Sequence, residues 1–153
     1  MRKIRKFIVH CSDSPQGRGF TAEDVIHWHI DPKPKGNGWD HVGYHHIIEE
    51  DGTIVDTLPV RVTGYHVGGH NRDSVGVCLM GRDTFQPEQF LSLAELYIHY
   101  AAKYKDIQVF PHNHFNPDKT CPNFDPKAKI QEGLNYKLVL WDHADPMEGE
   151  FNV

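Results

Sequence analysis

The sequence predicts a single α/β domain in which a central mixed β-sheet is flanked by helices. Short apolar segments typical of strands alternate with segments of helical spacing, and one pair of strands is joined by a hairpin turn. The length of 153 residues fits one domain. A chain of this size buries enough surface to form a core without disulfides.

The first strand is expected within residues 3–12, whose centre is apolar. Strand alternation places Phe7, Val9 and Cys11 on one face of the sheet and His10 on the other. Cys11 is therefore interpreted as a buried thiol that faces away from His10.

A helix is predicted to follow Thr21 and to end near Ile30. Thr21 is a suitable N-cap, and Asp24 stands three residues later, where its carboxylate can complete a capping box. Pro32 then stops the helix, because the residue before a proline avoids the helical conformation.

Strand signals occupy the middle of the chain. Residues 40–58 are typical of a β-hairpin with Asp51-Gly52 at its turn. Residues 73–81 are apolar enough for a central strand.

The last third predicts a helix over residues 87–104 that opens at Pro87, a strand at 107–110 and a proline-rich loop at 111–125. A short final helix is expected to end at Gly133, since glycine commonly terminates helices. Residues 1–133 are accordingly predicted to form the domain, and residues 134–153 a partly ordered extension with an acidic end.

The charge balance excludes some classes of function. There are 16 basic and 21 acidic residues, which argues against a broad nucleic-acid-binding surface. The apolar runs are too short to insert into a membrane. Basic residues near the amino terminus lack a following apolar segment, so no secretory signal is expected.

The loop at 111–125 carries the first chemical signal. His112, His114 and Cys121 lie within ten residues, and imidazole with thiolate suits Zn²⁺. Spacing alone leaves open the alternative of exposed histidines and a free thiol. His10 ends a predicted strand and His112 follows another, so both can reach one groove at the strand ends.

Six segments in order carry a family resemblance. They are "FIVHCS" (7–12), "WH" (28–29), "GWDHVGYHHII" (38–48), "DGTI" (51–54), "GYHVGGHNRDSVGVCLMG" (64–81) and "HNHFNPDKTCPNFD" (112–125). Together they resemble the zinc-dependent N-acetylmuramoyl-L-alanine amidases, the superfamily of the bacteriophage lysozyme-type endolysins and the peptidoglycan recognition proteins. The resemblance covers roughly residues 4–130.

The resemblance implies a site for one Zn²⁺ ion. His10, His112 and Cys121 match the ligand positions. The stretch between the last two looks one residue longer than is usual in the family, so a shifted register would make His114 the ligand instead of His112.

The resemblance also implies roles around the ion. Tyr44 and Lys119 match catalytic positions that line the zinc site. His66 and Asn71 match positions beside the substrate groove, and His46 joins them as a substrate-binding candidate because alternation puts it on the face of Tyr44.

The implied reaction is hydrolysis of the amide between N-acetylmuramic acid and L-alanine in bacterial peptidoglycan. A monomeric phage endolysin is expected, made in the host cytoplasm and reaching the cell wall after a separate pore-forming protein acts. The alternatives are a cytosolic amidase that recycles muropeptides and a non-catalytic relative that binds peptidoglycan or restrains a phage RNA polymerase.

Overall fold

The computed structural model describes residues 1–142, which form a five-stranded mixed sheet with helices on both faces. The predicted fold class is confirmed. The strands are β1 (Lys6–Cys11), β2 (His46–Ile48), β3 (Ile54–Asp56), β4 (Ser74–Leu79) and β5 (Gln108–Pro111), and the helices are α1 (Ala22–Ile30), α2 (Pro87–Lys103) and α3 (Pro126–Asp142).

The sheet has the strand order β3-β2-β4-β1-β5. Strand β1 runs parallel to both β4 and β5, β2 runs parallel to β4, and β3 pairs antiparallel with β2 as the predicted hairpin. All six residues of the central strand β4 are buried. Both of its faces are covered, which explains why its sequence is continuously apolar and does not alternate.

The two faces of the sheet carry separate apolar clusters. On the face covered by α2 and α3, Phe7 and Val9 pack with Leu93 in the larger cluster. On the face covered by α1, Val25 packs with Cys78 in the smaller one. Cys78 is fully buried, as its apolar surroundings in the sequence predict.

The helix starts follow the predicted capping chemistry. In α1 the Asp24 carboxylate accepts the backbone N–H of Thr21 at 2.8 Å, and the helix ends at Ile30 as predicted. In α2, Pro87 occupies the first turn and Gln89 Oε1 accepts the backbone N–H of Gln86 at 2.9 Å. These bonds satisfy amide groups that the first turn of a helix leaves without partners.

The prediction that the last helix ends at Gly133 is wrong. Helix α3 continues to Asp142. A Cβ at Gly133 would lie 2.1 Å from the carbonyl oxygen of Phe90, so this glycine permits close packing of α3 on α2. Residues 143–153 lie outside the described part of the chain, and the proposed division at residue 133 stays a prediction.

Over residues 1–142, none of the helices combines the length and the apolar character needed to cross a bilayer.

Candidate active site

The strand topology brings two distant histidines to one edge of the sheet. Val9 pairs with Pro111 in the parallel ladder between β1 and β5. His10 follows in β1, and the chain after β5 enters a short 3₁₀ helix, His112–His114. Parallel strands end at the same edge, where ligand sites of open α/β sheets usually form.

His10, His112 and Cys121 converge at this edge. Their ligand atoms all lie within 4.8 Å of one another. His10 is buried, with 1% of its surface exposed, whereas His112 and Cys121 are partly exposed. Within residues 1–142, this is the one cluster of three or more histidine, cysteine or acidic side chains that is compact enough to hold a metal ion.

The structure brings His112, and not His114, to His10 and Cys121. The His114 side chain is exposed. Its ring packs against Phe110 and Phe115, with centroid distances of 4.9 and 4.8 Å. The short 3₁₀ helix turns the two histidines in different directions, which the sequence spacing did not reveal.

The electrostatics favour neutral imidazoles at the site. Burial, reinforced by the neighbouring His66, holds the pKa of His10 well below its usual value. Partial burial, followed by the charge of Lys119, lowers the pKa of His112. Both rings are therefore neutral near pH 7, and a neutral ring has a lone pair to offer to a metal.

The thiol of Cys121 completes the donor set. A side-chain hydrogen bond with Cys11, together with burial, raises the pKa of Cys121 in the metal-free protein. The backbone N–H of Cys11 also points to Cys121 Sγ at 3.1 Å. A divalent cation deprotonates a coordinating thiol, and this N–H would then stabilise the thiolate.

A cavity of about 230 Å³ lies against two of the three donors, His112 and Cys121. It is lined by Cys11, Asp13, Tyr44, His112, Lys119, Thr120, Cys121 and Asn123. The two predicted catalytic residues, Tyr44 and Lys119, are both among them. Lys119 is exposed and brings a positive charge to the mouth of the cavity.

Tyr44 lies beside His10, with a distance of 5.0 Å between the ring centroids. Burial and the nearby thiols of Cys78 and Cys121 raise the pKa of the phenol well above its usual value. The phenol therefore stays protonated at neutral pH. A protonated phenol can donate a hydrogen bond but cannot take up a proton, so in the metal-free protein Tyr44 is not a general base.

His66 and Asn71 do not present their hydrogen-bonding groups to this cavity. The ring nitrogens of His66 lie 2.8 Å from His10 Nε2 and 3.1 Å from Ser74 Oγ. Asn71 Oδ1 accepts the backbone N–H groups of His66 and Val67. Both side chains organise the protein behind the donors.

The structure corrects the placement of His46. Its ring nitrogens contact Asp56 Oδ1 at 2.7 Å and the Tyr100 hydroxyl of α2. Regular pairing of β2 begins only at His46, so strict alternation does not extend back to Tyr44. His46 consequently lies on the α2 face of the sheet, opposite to His10.

Cys11 also differs from its prediction. It is buried, as expected, but it lines the cavity and contacts Cys121. It is the last residue of β1, where the chain leaves the sheet and the alternation rule no longer separates it from the site.

A hydrogen-bonded cluster that the sequence did not predict joins Asp13, Arg82 and Asn123. Arg82 Nε donates to Asp13 Oδ1 at 2.8 Å, and Asn123 Nδ2 donates to the Arg82 carbonyl at 2.8 Å. Asp13 and Asn123 both have positive φ values, 55° and 67°. The available signal was positional, since all three residues lie in loops that follow the adjacent strands β1, β4 and β5.

The fold and the three-donor cluster are consistent with an amidase, and the chain belongs to the N-acetylmuramoyl-L-alanine amidase family. The family's sequence profile, described as N-acetylmuramoyl-L-alanine amidase, matches residues 1–124. The resemblance inferred from the six segments is therefore confirmed.

Several curated relatives are phage endolysins. The chain is 35% identical to the endolysin of Escherichia phage T7 over 127 residues, which cover 78% of this chain and 80% of that protein. It is 33% identical to the endolysin of Klebsiella phage KP32 over 151 residues, 94% of each chain. Among solved structures, the N-acetylmuramoyl-L-alanine amidase LysC from Clostridium intestinale URNW has a TM-score of 0.70 and 27% identity, covering 88% of this chain and 87% of that one.

Proposed function

We propose that this protein is a zinc-dependent phage endolysin, which hydrolyses the amide between N-acetylmuramic acid and L-alanine in peptidoglycan. The observation that carries the proposal is the convergence of His10, His112 and Cys121, whose ligand atoms lie within 4.8 Å of one another. Family membership supplies the reaction, and the donor set supplies the preference for zinc.

The donor set fits Zn²⁺ better than a hard cation. Two neutral imidazoles and one thiolate are ligands that zinc prefers, whereas Mg²⁺ and Ca²⁺ prefer oxygen. Three protein ligands leave a coordination position open, which is typical of hydrolytic sites rather than structural ones. The adjoining cavity gives a substrate access to that side of the cluster.

When bound, Zn²⁺ would polarise the scissile carbonyl and lower the pKa of a water molecule. One thiolate among the ligands leaves a net charge of about +1, less than three neutral ligands would. The ammonium of Lys119 adds positive charge at the cavity mouth. There it stabilises the negative charge that develops on the carbonyl oxygen as the amide is attacked.

Tyr44 contributes a hydrogen-bond donor from a rigid position. Its ring lies between His10 and His29, at centroid distances of 5.0 and 5.3 Å. His29 Nδ1 accepts the backbone N–H of Gly43 at 2.9 Å, which anchors the segment that carries the tyrosine. The hydroxyl is hydrogen-bonded to the Cys78 thiol in the unliganded protein, and the protonated phenol can orient the substrate carbonyl or the attacking water once it exchanges that partner for the ligand.

The biological role is lysis of the host cell from within. The relatives from phages T7 and KP32 are named endolysins. We propose that this chain reaches peptidoglycan after a separate pore-forming protein acts. A monomer, and an additional contact with a phage RNA polymerase, stay predictions that light scattering and pull-down experiments would check.

The test combines metal analysis with product identification. Purified protein is expected to contain one zinc per chain and to release stem peptides with a free L-alanine amine from intact sacculi, as identified by mass spectrometry. His10→Ala, His112→Ala and Cys121→Ala should lose both zinc and cleavage, while His114→Ala, the matched control, should keep both.

Three results would contradict the proposal. Full-speed cleavage by chelator-treated protein would exclude zinc dependence. Loss of zinc in His114→Ala, with retention in His112→Ala, would reassign the ligand. Activity on soluble muropeptides without activity on sacculi would indicate a recycling amidase in place of an endolysin.

A further inference from the structure

A chain of hydrogen bonds runs from His10 into the protein interior, away from the cavity. His10 Nε2 lies 2.8 Å from His66 Nδ1, and His66 Nε2 lies 3.1 Å from Ser74 Oγ. Ser74 Oγ in turn lies 3.4 Å from the backbone carbonyl of Asn71. Ser74 is fully buried and His66 is 9% exposed, so bulk water does not compete for these bonds.

The backbone carbonyl of Asn71, at the far end of this series of hydrogen bonds, fixes the direction of each bond in the series. The carbonyl oxygen of Asn71 can only accept, so the Ser74 hydroxyl donates to it and accepts from His66 Nε2–H. A neutral His66 with its proton on Nε2 has a lone pair on Nδ1. That lone pair accepts a hydrogen bond from His10 Nε2–H, and the free lone pair of His10 is then on Nδ1.

The opposite direction would be incompatible with metal binding. If Ser74 donated to His66 Nε2, His66 would donate to His10 Nε2 and the proton of neutral His10 would lie on Nδ1. The one lone pair of His10, on Nε2, would then be occupied by the hydrogen bond from His66, and none would be available to a metal ion. The backbone carbonyl at the far end therefore determines which nitrogen of His10 is free.

The position of the His66 ring is fixed by packing as well as by hydrogen bonds. A Cβ at Gly76, in the central strand, would lie 2.7 Å from Cγ and Nδ1 of His66. The ring therefore lies directly against the backbone of Gly76, and a residue other than glycine at this position would collide with it. Asn71 Oδ1 holds the His66 backbone from the other side, at 2.9 Å.

We propose that His66, supported by Ser74, is a positioning residue that holds His10 in the tautomer whose Nδ1 lone pair is available to the metal ion. This inference rests on the proposed zinc site. It also changes the role of His66, which the sequence resemblance placed among the substrate-binding residues.

A neutral acceptor behind His10 has a chemical advantage over a carboxylate. Metal-binding histidines commonly donate their second N–H to a carboxylate or a carbonyl. A carboxylate here would add a negative charge to a site that already has one thiolate. His66 orients His10 while leaving the net positive charge of the loaded site unchanged, which preserves its ability to polarise a carbonyl.

The first test measures zinc affinity by competition with a chelator. His66→Phe removes the acceptor and is expected to weaken zinc binding 10- to 100-fold. His66→Asn keeps an acceptor near the position of Nδ1 and should recover most of that loss. The matched control is His46→Phe, which removes a half-buried histidine from the other face of the sheet and should leave zinc affinity unchanged.

The second test uses metal-free protein and needs no zinc binding. Long-range ¹H–¹⁵N NMR correlations should show both His10 and His66 protonated on Nε2. Ser74→Ala removes the acceptor of His66 Nε2–H, so it should populate the other tautomer of His66 and weaken zinc binding severalfold.

The outcomes separate this inference from the zinc proposal. Wild-type protein that binds no zinc would overturn the zinc site. Wild-type zinc affinity in a folded His66→Phe variant, or a His10 proton on Nδ1 in the metal-free protein, would overturn the positioning role alone. If His66→Phe fails to fold, the tautomers of the wild type and of Ser74→Ala decide the question.

Discussion

At the scale of single residues, Lys119 and Tyr44 share one cavity but have opposite electrostatic environments. Lys119 is exposed and charged, and its charge is felt by His112. Tyr44 is surrounded by protein and three thiols, and the pKa of its phenol is raised. We therefore propose that Lys119 supplies charge at the site and that Tyr44 supplies a neutral hydrogen-bond donor.

Lys119→Ala is expected to keep one zinc per chain and to lower kcat about 10²- to 10³-fold, the usual effect of removing one group that stabilises an oxyanion. Metal analysis and initial rates on sacculi measure the two quantities. Lys127→Ala, an exposed lysine outside the cavity lining, is the control. An unchanged rate in Lys119→Ala would remove this residue from the catalytic machinery.

Tyr44→Phe is expected to slow cleavage by about 10²-fold while keeping zinc, because it removes the donor and retains the ring. Up to pH 9, the alkaline side of the pH–rate profile should be the same in Tyr44→Phe and in the wild type, because the wild-type phenol is still protonated in that range. A shift of that side of the profile would instead indicate that the phenol titrates during turnover.

At the scale of elements, the close approach of α3 to α2 requires a glycine at position 133. Gly133→Ala places a Cβ against the Phe90 carbonyl, and overpacking of this kind costs about 1–3 kcal/mol of unfolding free energy. Urea unfolding monitored by circular dichroism measures the loss. Gly68→Ala, where a Cβ would meet no atom within 4 Å, should change stability much less.

Local chemistry made several elements predictable. The starts of α1 and α2 are set by Thr21 and Pro87, because caps and prolines act through neighbouring residues. The buried character of β4 could be predicted from its apolar run. These features need no knowledge of what lies across the molecule.

Features set by tertiary contacts could not be predicted. Gly133 has the sequence signal of a helix end, but its function is to let a second helix approach. His46 stands two residues after Tyr44, so strand alternation predicts that the two side chains share a face. Strand β2 starts only at His46, however, and the alternation does not extend back to Tyr44. Loop chemistry and predicted strand ends made His10, His112 and Cys121 candidates, and the resemblance matched them to ligand positions. The structure adds the parallel pairing of β1 with β5, which brings His10 and the following loop to one edge of the sheet.

At the scale of the whole molecule, buried neutral histidines make stability depend on pH. His45 is fully buried. Its Nδ1 accepts the Gly76 N–H at 3.0 Å, and its Nε2 donates to the Val62 carbonyl at 2.8 Å. Burial, with a smaller contribution from the Arg2 charge, lowers the pKa of His45 to about 4.

As the pH falls, the unfolded chain protonates His45 at a higher pH than the folded protein does, because the pKa of a histidine in the unfolded chain is about 6.5. The contribution of His45 to stability is complete above about pH 6.5 and is lost as the pH falls towards 4, a loss of about 3 kcal/mol. Urea unfolding at pH 7, 5.5 and 4.5 should show it. His45→Asn should lessen the dependence without abolishing it, because burial also lowers the pKa of His10 and of His66. His99→Asn, at an exposed site, should not lessen it.

The meeting of the first strand with the loop after the last strand has a consequence for folding. Cys11 and Cys121 are 110 positions apart, so an ion held by His10 and Cys121 closes most of the polypeptide into a ring. If that ion is the proposed zinc, it would act as a reversible cross-link whose stabilising effect grows with free zinc concentration. Chelation is therefore expected to lower the melting temperature of the protein as well as its activity, so that metal starvation would shorten the life of the folded enzyme.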